Sequence, residues 1–347
     1  MVRRVLITGL GSIGQRHARC LRQLYGDSVE LHAYRSRGLK HVINDNLTID
    51  ANKSPTKHFD IIEHNDLDKA LSVGMNAVFI TNPPNLHIET ALKAVKAGSN
   101  VFIEKPLSHS LDRINELILL VEKTKVVCMV GHQLRYHPIT KRIKNIISNG
   151  EIGRITSAEF VFGEYLPGMH PYEDYRISHA AFEQRGGGSI LSLNHDIDIA
   201  CYLFGCPKRL FCLGGHYSNL EIDAEDTAHI LMEMKMERNP IGVHILLDFI
   251  QRPTRREWII TGDSGSIRAD LTKNTLNINT YNGKHKTIKE NFSNFSRNDM
   301  FLSEIRDFFN SIENKKPSPL GLKEAYEILK VAIEAKKSLI NGKTIKI

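Results

Sequence analysis

The chain has 347 residues, 41% of them hydrophobic, with 46 Lys+Arg against 39 Asp+Glu and a formal net charge of +7. That length suggests about two domains, and the composition excludes a disordered, collagenous or disulfide-rich chain. No apolar run approaches the ~20 residues that span a bilayer. The N-terminal run Val5-Leu6-Ile7 gives way at once to glycine, so neither a signal peptide nor a membrane partner is expected. Cys20, Cys128, Cys201, Cys206 and Cys212 form no C-x-x-C pair, so no zinc site or disulfide framework is indicated, no metal is assigned, and a reducing cytoplasm fits best. The basic residues are spread along the chain without long tracts, which argues for small anionic ligands and against nucleic acid.

The first ~130 residues alternate strand and helix patterns. Val5-Leu6-Ile7 reads as a strand. Ile13, His17, Cys20, Leu21 and Leu24 recur at helical spacing until Gly26-Asp27, and Val29 to Tyr34 is a second strand. Residues 35–60 are irregular. Then follow a helix over 66–71, a strand over 77–81, a helix over 85–97 closed by Gly98, a strand over 101–103, a helix over 111–123 and a strand over 126–130. This alternation predicts a doubly wound parallel sheet. After Gly131 the rhythm changes. A helix over 138–148 and a strand over 155–162 precede a long loop over 163–188 and a helix over 189–204. Strands near 208–217, 226–236, 241–250, 257–261, 265–270 and 275–281 come next, and helices over 297–312 and 322–341 close the chain. The fold class expected is therefore α/β: an N-terminal Rossmann domain over 1–130, then an α+β domain over 131–347 with an open, mostly antiparallel sheet.

Gly9-Leu10-Gly11-Ser12-Ile13-Gly14 is a G-x-G-x-x-G placed between a strand and an amphipathic helix, the context in which that pattern binds a dinucleotide. Gly9 permits the tight turn, Gly11 lets the backbone approach a pyrophosphate, and Gly14 lets helix and strand pack closely. The free N–H groups at the helix start, around Ser12 and Ile13, favour phosphate. At the end of the second strand an NAD site usually carries a carboxylate. Here Tyr34-Arg35-Ser36-Arg37 offers guanidinium groups and a hydroxyl, which suit a 2′-phosphate, so NADP(H) is favoured with NAD(H) as the alternative.

Glu104-Lys105-Pro106 follows a parallel strand, the end of a sheet where ligands bind, and Lys105 is a candidate for holding a hydroxyl or moving a proton. Gly186-Gly187-Gly188 precedes the 189–204 helix, with Ser189 as its cap. On it Ile190, Leu193, Ile197, Ala200 and Phe204 form an apolar stripe, and His195, Asp198 and Tyr202 share another face. A carboxylate one turn from an imidazole suits a general acid/base; a solvated His–Asp pair is the equally weighted structural alternative.

Together these motifs resemble the Gfo/Idh/MocA oxidoreductases. The resemblance rests on Gly9 to Gly14 with Arg16-His17-Ala18-Arg19, on Thr81-Asn82-Pro83-Pro84-Asn85-Leu86-His87, on Glu104-Lys105-Pro106, on Gly131 to Pro138 and on Gly186 to Asp198. It implies hydride transfer to or from a carbon of a sugar, sugar acid or nucleotide-activated sugar, with catalytic roles for Lys105, His195 and Asp198. It also implies that Thr81, Asn82, Pro83, His87, Glu104 and Lys105 join the glycine loop around the cofactor, a cis Lys105–Pro106 bond, and a homodimer or homotetramer assembled on the open sheet face. Leu166-Pro167 through His170-Pro171, Glu173-Asp174-Tyr175-Arg176 and Asn194-His195 resemble a subgroup associated with cell-surface saccharides and sialic-acid-like sugars. That likeness implies substrate contacts from Arg135, His170, Tyr175, Arg176, Asn194 and His195.

One departure stands out. Many relatives place a carboxylate four residues after the third glycine, where this chain has Ser192, which cannot relay protons as a carboxylate does. Either Asp198 or Asp196 then orients His195, or the chemistry differs. Two other functions stay open: a redox-neutral sugar-modifying enzyme with tightly bound NAD, and a non-catalytic NADP(H)-binding sensor or partner protein.

Overall fold

The computed structural model describes residues 3–35, 38, 40–235, 239–281 and 283–347. In chain order the elements begin with β1 (Arg3–Thr8), α1 (Ser12–Tyr25), β2 (Val29–Tyr34), β3 (Val42–Ile43), β4 (Ile49–Asp50), α2 (Pro55–His58), β5 (Ile61–His64), α3 (Leu67–Ser72) and β6 (Ala77–Ile80). They continue with α4 (His87–Lys96), β7 (Asn100–Glu104), α5 (Ile114–Thr124), β8 (Cys128–Gly131), α6 (Pro138–Ser148), β9 (Ile155–Gly163), α7 (Leu166–Met169), α8 (Ser189–Ser192) and α9 (His195–Phe204). The remainder is β10 (Pro207–Gly215), β11 (Thr227–Met234), β12 (Ile241–Asp248), β13 (Arg255–Gly262), β14 (Gly265–Asp270), β15 (Thr275–Tyr281), β16 (His285–Asn291), α10 (Arg297–Glu313), α11 (Leu322–Asn341) and β17 (Ile345–Lys346).

The chain divides into two compact units: residues 1–132, 170–174 and 298–326 form one, and residues 133–169, 175–297 and 327–347 form the other. The first unit contains a six-stranded parallel sheet in the order β5-β2-β1-β6-β7-β8. Counting only these strands, that is the order 3-2-1-4-5-6 of dinucleotide-binding folds, with the switch point between β1 and β6. The central strands are apolar on both faces, and Val5, Leu6, Ile7, Ala77 to Ile80 and Val101 to Ile103 are all fully buried. Continuous burial is what crossover helices impose on a parallel sheet. An aromatic cluster of Phe79, Phe102, Phe301, Phe308 and Phe309 fills one side.

The second unit contains a nine-stranded sheet, β16-β15-β14-β13-β9-β12-β11-β10-β17, antiparallel throughout except for β9 with β12. Its strands alternate. Ile241, Val243, Ile245 and Leu247 of β12 and Ala228, Ile230 and Met232 of β11 are buried, whereas Leu213 and Leu231 stay exposed at 59% and 53%. One face therefore forms a core, with α9 against β9 and β12, and the other is open.

Several elements differ from the sequence expectation. The short edge strand β5 and the polar edge strand β16 were not foreseen, and the 163–188 loop contains α7 and three short 3-10 turns. The expected single helix over 189–204 is two, broken at Leu193 and Asn194. Gly188, not Ser189, is the N-cap of α8, and the Ser189 hydroxyl is buried without a hydrogen-bond partner. The face carrying His195 and Asp198 is not solvated: every residue from Ser189 to Cys201 is buried.

Among the described residues, no helix is long and apolar enough to cross a membrane, and no group of three or more His, Cys, Asp or Glu is arranged to hold a metal ion. All five cysteines are free thiols.

Candidate active-site residues in the two units

In the first unit, β1 ends at Thr8 and the chain turns at Gly9, whose φ of +120° requires glycine. A Cβ on Gly14 would lie 1.9 Å from the Gly9 carbonyl oxygen, so α1 crosses the turn at a distance that only glycine allows. Gly11 differs: a Cβ there would meet nothing within 4 Å. Half-buried Gly11 is the N-cap of α1, which has no side-chain cap and no acidic residue in its first turn. The first N–H groups and the positive dipole end of α1 are thus left for an anion. These residues fit the pyrophosphate of a dinucleotide.

The neighbouring strand end is tied to this loop. The Thr81 hydroxyl donates to the Gly9 carbonyl at 2.8 Å, across the switch point. The Asn82 amide donates to the Thr90 hydroxyl at 3.0 Å. Pro83 is the N-cap of the 3-10 turn Pro84–Leu86. Buried His87 lies with Nε2 2.8 Å from the Asn82 carbonyl oxygen and Nδ1 2.9 Å from that of Pro106. Burial lowers its pKa, against the raising effect of those carbonyls, so a neutral ring donates to one of the two. His87 is a strut between two loops at the strand ends. Glu104 is also built in: its Oε1 lies 2.6 Å from Nε2 of fully buried His17, and its Oε2 accepts from the Lys105 backbone N–H at 3.3 Å. Lys105 follows directly, half-buried, and the Lys105–Pro106 bond is cis.

At the end of β2, the Arg35 Nη1 donates to Glu63 Oε2 of β5 at 3.1 Å. Sequence reading placed no carboxylate here because Glu63 is remote in the chain and reaches Arg35 only through β2–β5 pairing. Ser36 and Arg37, the other residues assigned to a 2′-phosphate, lie outside the described residues.

In the second unit Arg135, Asn194, His195 and Asp198 gather at α9. His195 and Asn194 are buried. The Gln133 amide donates to His195 Nε2 at 3.3 Å, which makes Nδ1 the protonated nitrogen of a neutral ring. Gln133 was not singled out from sequence, although it lies in the Gly131 to Pro138 motif. The Gln133 Oε1 and Asn194 Oδ1 atoms are buried without hydrogen-bond partners. Buried polar atoms are normally satisfied, and these two oxygens are acceptors to which a polar ligand can donate.

The two aspartates have strong partners of their own. Asp198 accepts from Arg135 Nη2 at 2.7 Å and from Nε at 3.0 and 3.2 Å. Asp196 accepts from Arg256 Nη2 and Trp258 Nε1, each at 2.6 Å. Of the loop candidates, Arg176 pairs with Glu221 at 3.1 Å and Tyr175 Oη accepts from the Glu221 backbone N–H at 3.3 Å. His170 groups with the first unit, its Nδ1 3.6 Å from Glu173 Oε1.

Residues 3–132 match the oxidoreductase family with an NAD-binding Rossmann fold, and residues 140–268 match the GFO/IDH/MocA C-terminal domain. The chain belongs to the Gfo/Idh/MocA oxidoreductases. It is 26% identical to a myo-inositol 2-dehydrogenase of Thermotoga maritima, across 99% of this chain and 98% of that protein. It is 25% identical to a 2,7-anhydro-N-acetylneuraminate hydratase of Mediterraneibacter gnavus, across 59% of this chain and 54% of that one. Its fold superposes on a levoglucosan dehydrogenase solved in complex with NADH at a TM-score of 0.84, covering 100% of this chain and 99% of the other at 16% identity. The expectation of a Gfo/Idh/MocA oxidoreductase, with its parallel and mostly antiparallel sheets, is borne out.

Proposed function

We propose that this Gfo/Idh/MocA oxidoreductase interconverts a secondary alcohol and a ketone on a sugar, a cyclitol or a sugar acid, with residues 1–130 serving the dinucleotide and 131–347 the substrate and self-assembly. The observation that carries the reading is the open, uncapped α1 N-terminus at the switch point of the parallel sheet. The bound nicotinamide supplies or accepts the hydride; the protein supplies position and proton transfer.

Lys105 and His195 are assigned to the proton. The Lys105 ammonium donates to the substrate oxygen, and His195 exchanges the hydroxyl proton so that no free alkoxide forms. Gln133 orients His195 by fixing its tautomer. Asn194 and Gln133 offer their unpartnered buried oxygens to substrate hydroxyls. Asp198 fixes Arg135 beneath α9, which makes this pair the scaffold of the histidine. Tyr175 and Arg176 hold the outer loop against Glu221 and serve specificity. His87, Thr81, Asn82 and Glu104 serve the cofactor by fixing the loops around it.

NADP(H) is the favoured cofactor because Arg35 directly follows β2, where a 2′-phosphate would lie; Glu63 competes for that guanidinium and keeps NAD(H) in play. A homodimer or homotetramer on the open sheet face suits the exposed Leu213 and Leu231. With no membrane-length helix among the described residues, a cytoplasmic setting is proposed.

A redox-neutral reaction with retained cofactor is the second reading. The likeness to a hydratase favours it, while Ser192 in place of a carboxylate supports the non-catalytic NADP(H)-binding alternative. The test is Lys105→Ala and His195→Ala assayed on a panel of cyclitols and sugars. Turnover should fall steeply while dinucleotide affinity holds; full activity in both variants sinks the assignment.

A further inference from the structure

Gln15 follows Gly14 on α1 and is polar, yet it is fully buried. Its amide is engaged on both sides. Nε2 donates to the Leu10 carbonyl at 3.1 Å and to the His41 carbonyl at 3.2 Å, and Oε1 accepts from the Ile43 backbone N–H at 2.8 Å. These three bonds fix the orientation of the group, since a flipped amide would set its oxygen against two carbonyls. Both amide hydrogens are spent inside the protein, so Gln15 acts on a ligand only through what it holds. Leu10 belongs to the glycine loop. His41 ends the segment that leaves β2 at Arg35 and enters β3 at Val42. The Arg35 end of that segment is held by β5, through the His64 carbonyl at 3.4 Å and Glu63 at 3.1 Å. Gln15 holds the other end, and the same nitrogen grips the glycine loop.

We propose that Gln15 is a positioning residue of the dinucleotide site, setting the span between the glycine loop and the segment after β2. This rests on reading Gly9–Gly14 as a dinucleotide site. In such a site the pyrophosphate lies at the helix start and the adenosine ribose at the end of the second strand, so one ligand touches both loops at once. Gln15 holds the two at a fixed spacing before the ligand arrives, and a preformed spacing spares the ligand the cost of ordering them. Arg19 supplies the contrast. It ties the same stretch of chain to α1 further on, through the Ile43 carbonyl and the Asp45 carboxylate, each at 2.7 Å, with no bond to the glycine loop.

Calorimetric titration of the full-length protein with NADPH and NADH tests it, well below the Tm of every variant, using wild type, Gln15→Met, Gln15→Asn and Arg19→Met. Gln15→Met keeps the length and bulk of the side chain and removes the bridge. Arg19→Met removes an anchor of the same segment that leaves the glycine loop untouched. Both should lower Tm, because each leaves backbone groups without their partners. Only Gln15→Met should also weaken both dinucleotides, by about tenfold, while Arg19→Met stays within about twofold of wild type. Gln15→Asn keeps an amide one methylene too short to reach all three partners. It should weaken binding by about threefold, and it carries the test should Gln15→Met not fold. Wild-type affinity in the Gln15 variants, or equal losses in Gln15→Met and Arg19→Met, overturns this inference alone. Failure of the wild-type protein to bind either dinucleotide overturns the dinucleotide reading and the inference with it.

Discussion

Arg135 grips Asp198 from two nitrogens, with Nη2 2.7 Å from Oδ1, the carboxylate fully buried and the arginine side chain 9% exposed. A buried pair of this geometry is costly to break from one side, because the partner left behind is an uncompensated charge. Asp198→Ala should therefore cost about 3–5 kcal/mol of stability, read as a fall in Tm and in the denaturant midpoint. Asp198→Asn separates this role from a proton-relay role. Loss of stability follows from an ion pair, whereas an unchanged Tm with a collapsed kcat would restore Asp198 to the catalytic set.

The second and third glycines of the fingerprint should fail in different ways. Gly14→Ala places a methyl 1.9 Å from the Gly9 carbonyl oxygen, so it should destabilise the protein whether or not cofactor is present. Gly11→Ala meets no protein atom within 4 Å and sits at a φ of −70° that alanine tolerates. It should fold with wild-type Tm yet bind dinucleotide at least about tenfold more weakly, roughly 1.4 kcal/mol, because its methyl occupies the pyrophosphate's place. Equal Tm losses in the two variants would contradict this division.

On the proposed reading, the Arg35–Glu63 pair should govern cofactor choice. Glu63→Gln removes the carboxylate that competes with a 2′-phosphate for Arg35. The ratio of NADPH to NADH affinity should rise in Glu63→Gln and fall in Arg35→Ala, by about five- to tenfold each. Fluorescence titration of both reduced cofactors reads it, and a ratio unmoved by either substitution would remove Arg35 from the specificity determinants.

His137 should set part of the acid limb of stability. It is buried and caps α6, its Nδ1 accepting from the Ile139 backbone N–H at 3.2 Å. Burial, reinforced by Arg256 and opposed by Asn274, lowers its pKa from 6.5 to about 4. The unfolded chain takes up this proton first, so the stabilisation is intact above pH 6.5 and drains away as pH falls toward 4. The full effect is about 3 kcal/mol. His137→Asn keeps a capping acceptor and removes the titration; its unfolding free energy should depend less steeply on pH in that window. An unaltered slope would mean that other groups govern the acid limb.

What was legible in the chain was what short-range spacing encodes. Val5 to Ile7, Ala77 to Ile80 and Val101 to Ile103 read as buried strands because crossover helices leave them no polar face. Glycine identity alone marked the turn at Gly9 and the close packing at Gly14. β5 and β16 were illegible because edge strands keep polar or exposed residues, such as Ile62 at 49% exposure and the run His285-Lys286-Thr287. The break at Leu193 and Asn194 hid behind an apolar spacing that runs unbroken from Ile190 to Ile197. The partners of the site residues were illegible for another reason. Arg135 and Asp198 are 63 residues apart, Gln133 and His195 62, and His17 and Glu104 87. Only the folded sheets bring such pairs together, so sequence spacing offered His195 the nearest carboxylate and missed Gln133.

The most direct test of the central claim is transient absorbance of the reduced nicotinamide when the purified protein, loaded with oxidised cofactor, meets a panel of cyclitols, sugars and sugar acids. At least one substrate should generate reduced cofactor in a single turnover. Lys105→Ala and His195→Ala should retain cofactor affinity but slow that step by about 10²–10⁴-fold. Cofactor that binds yet is never reduced by any member of the panel, or is reduced at wild-type rate by both variants, would contradict the account.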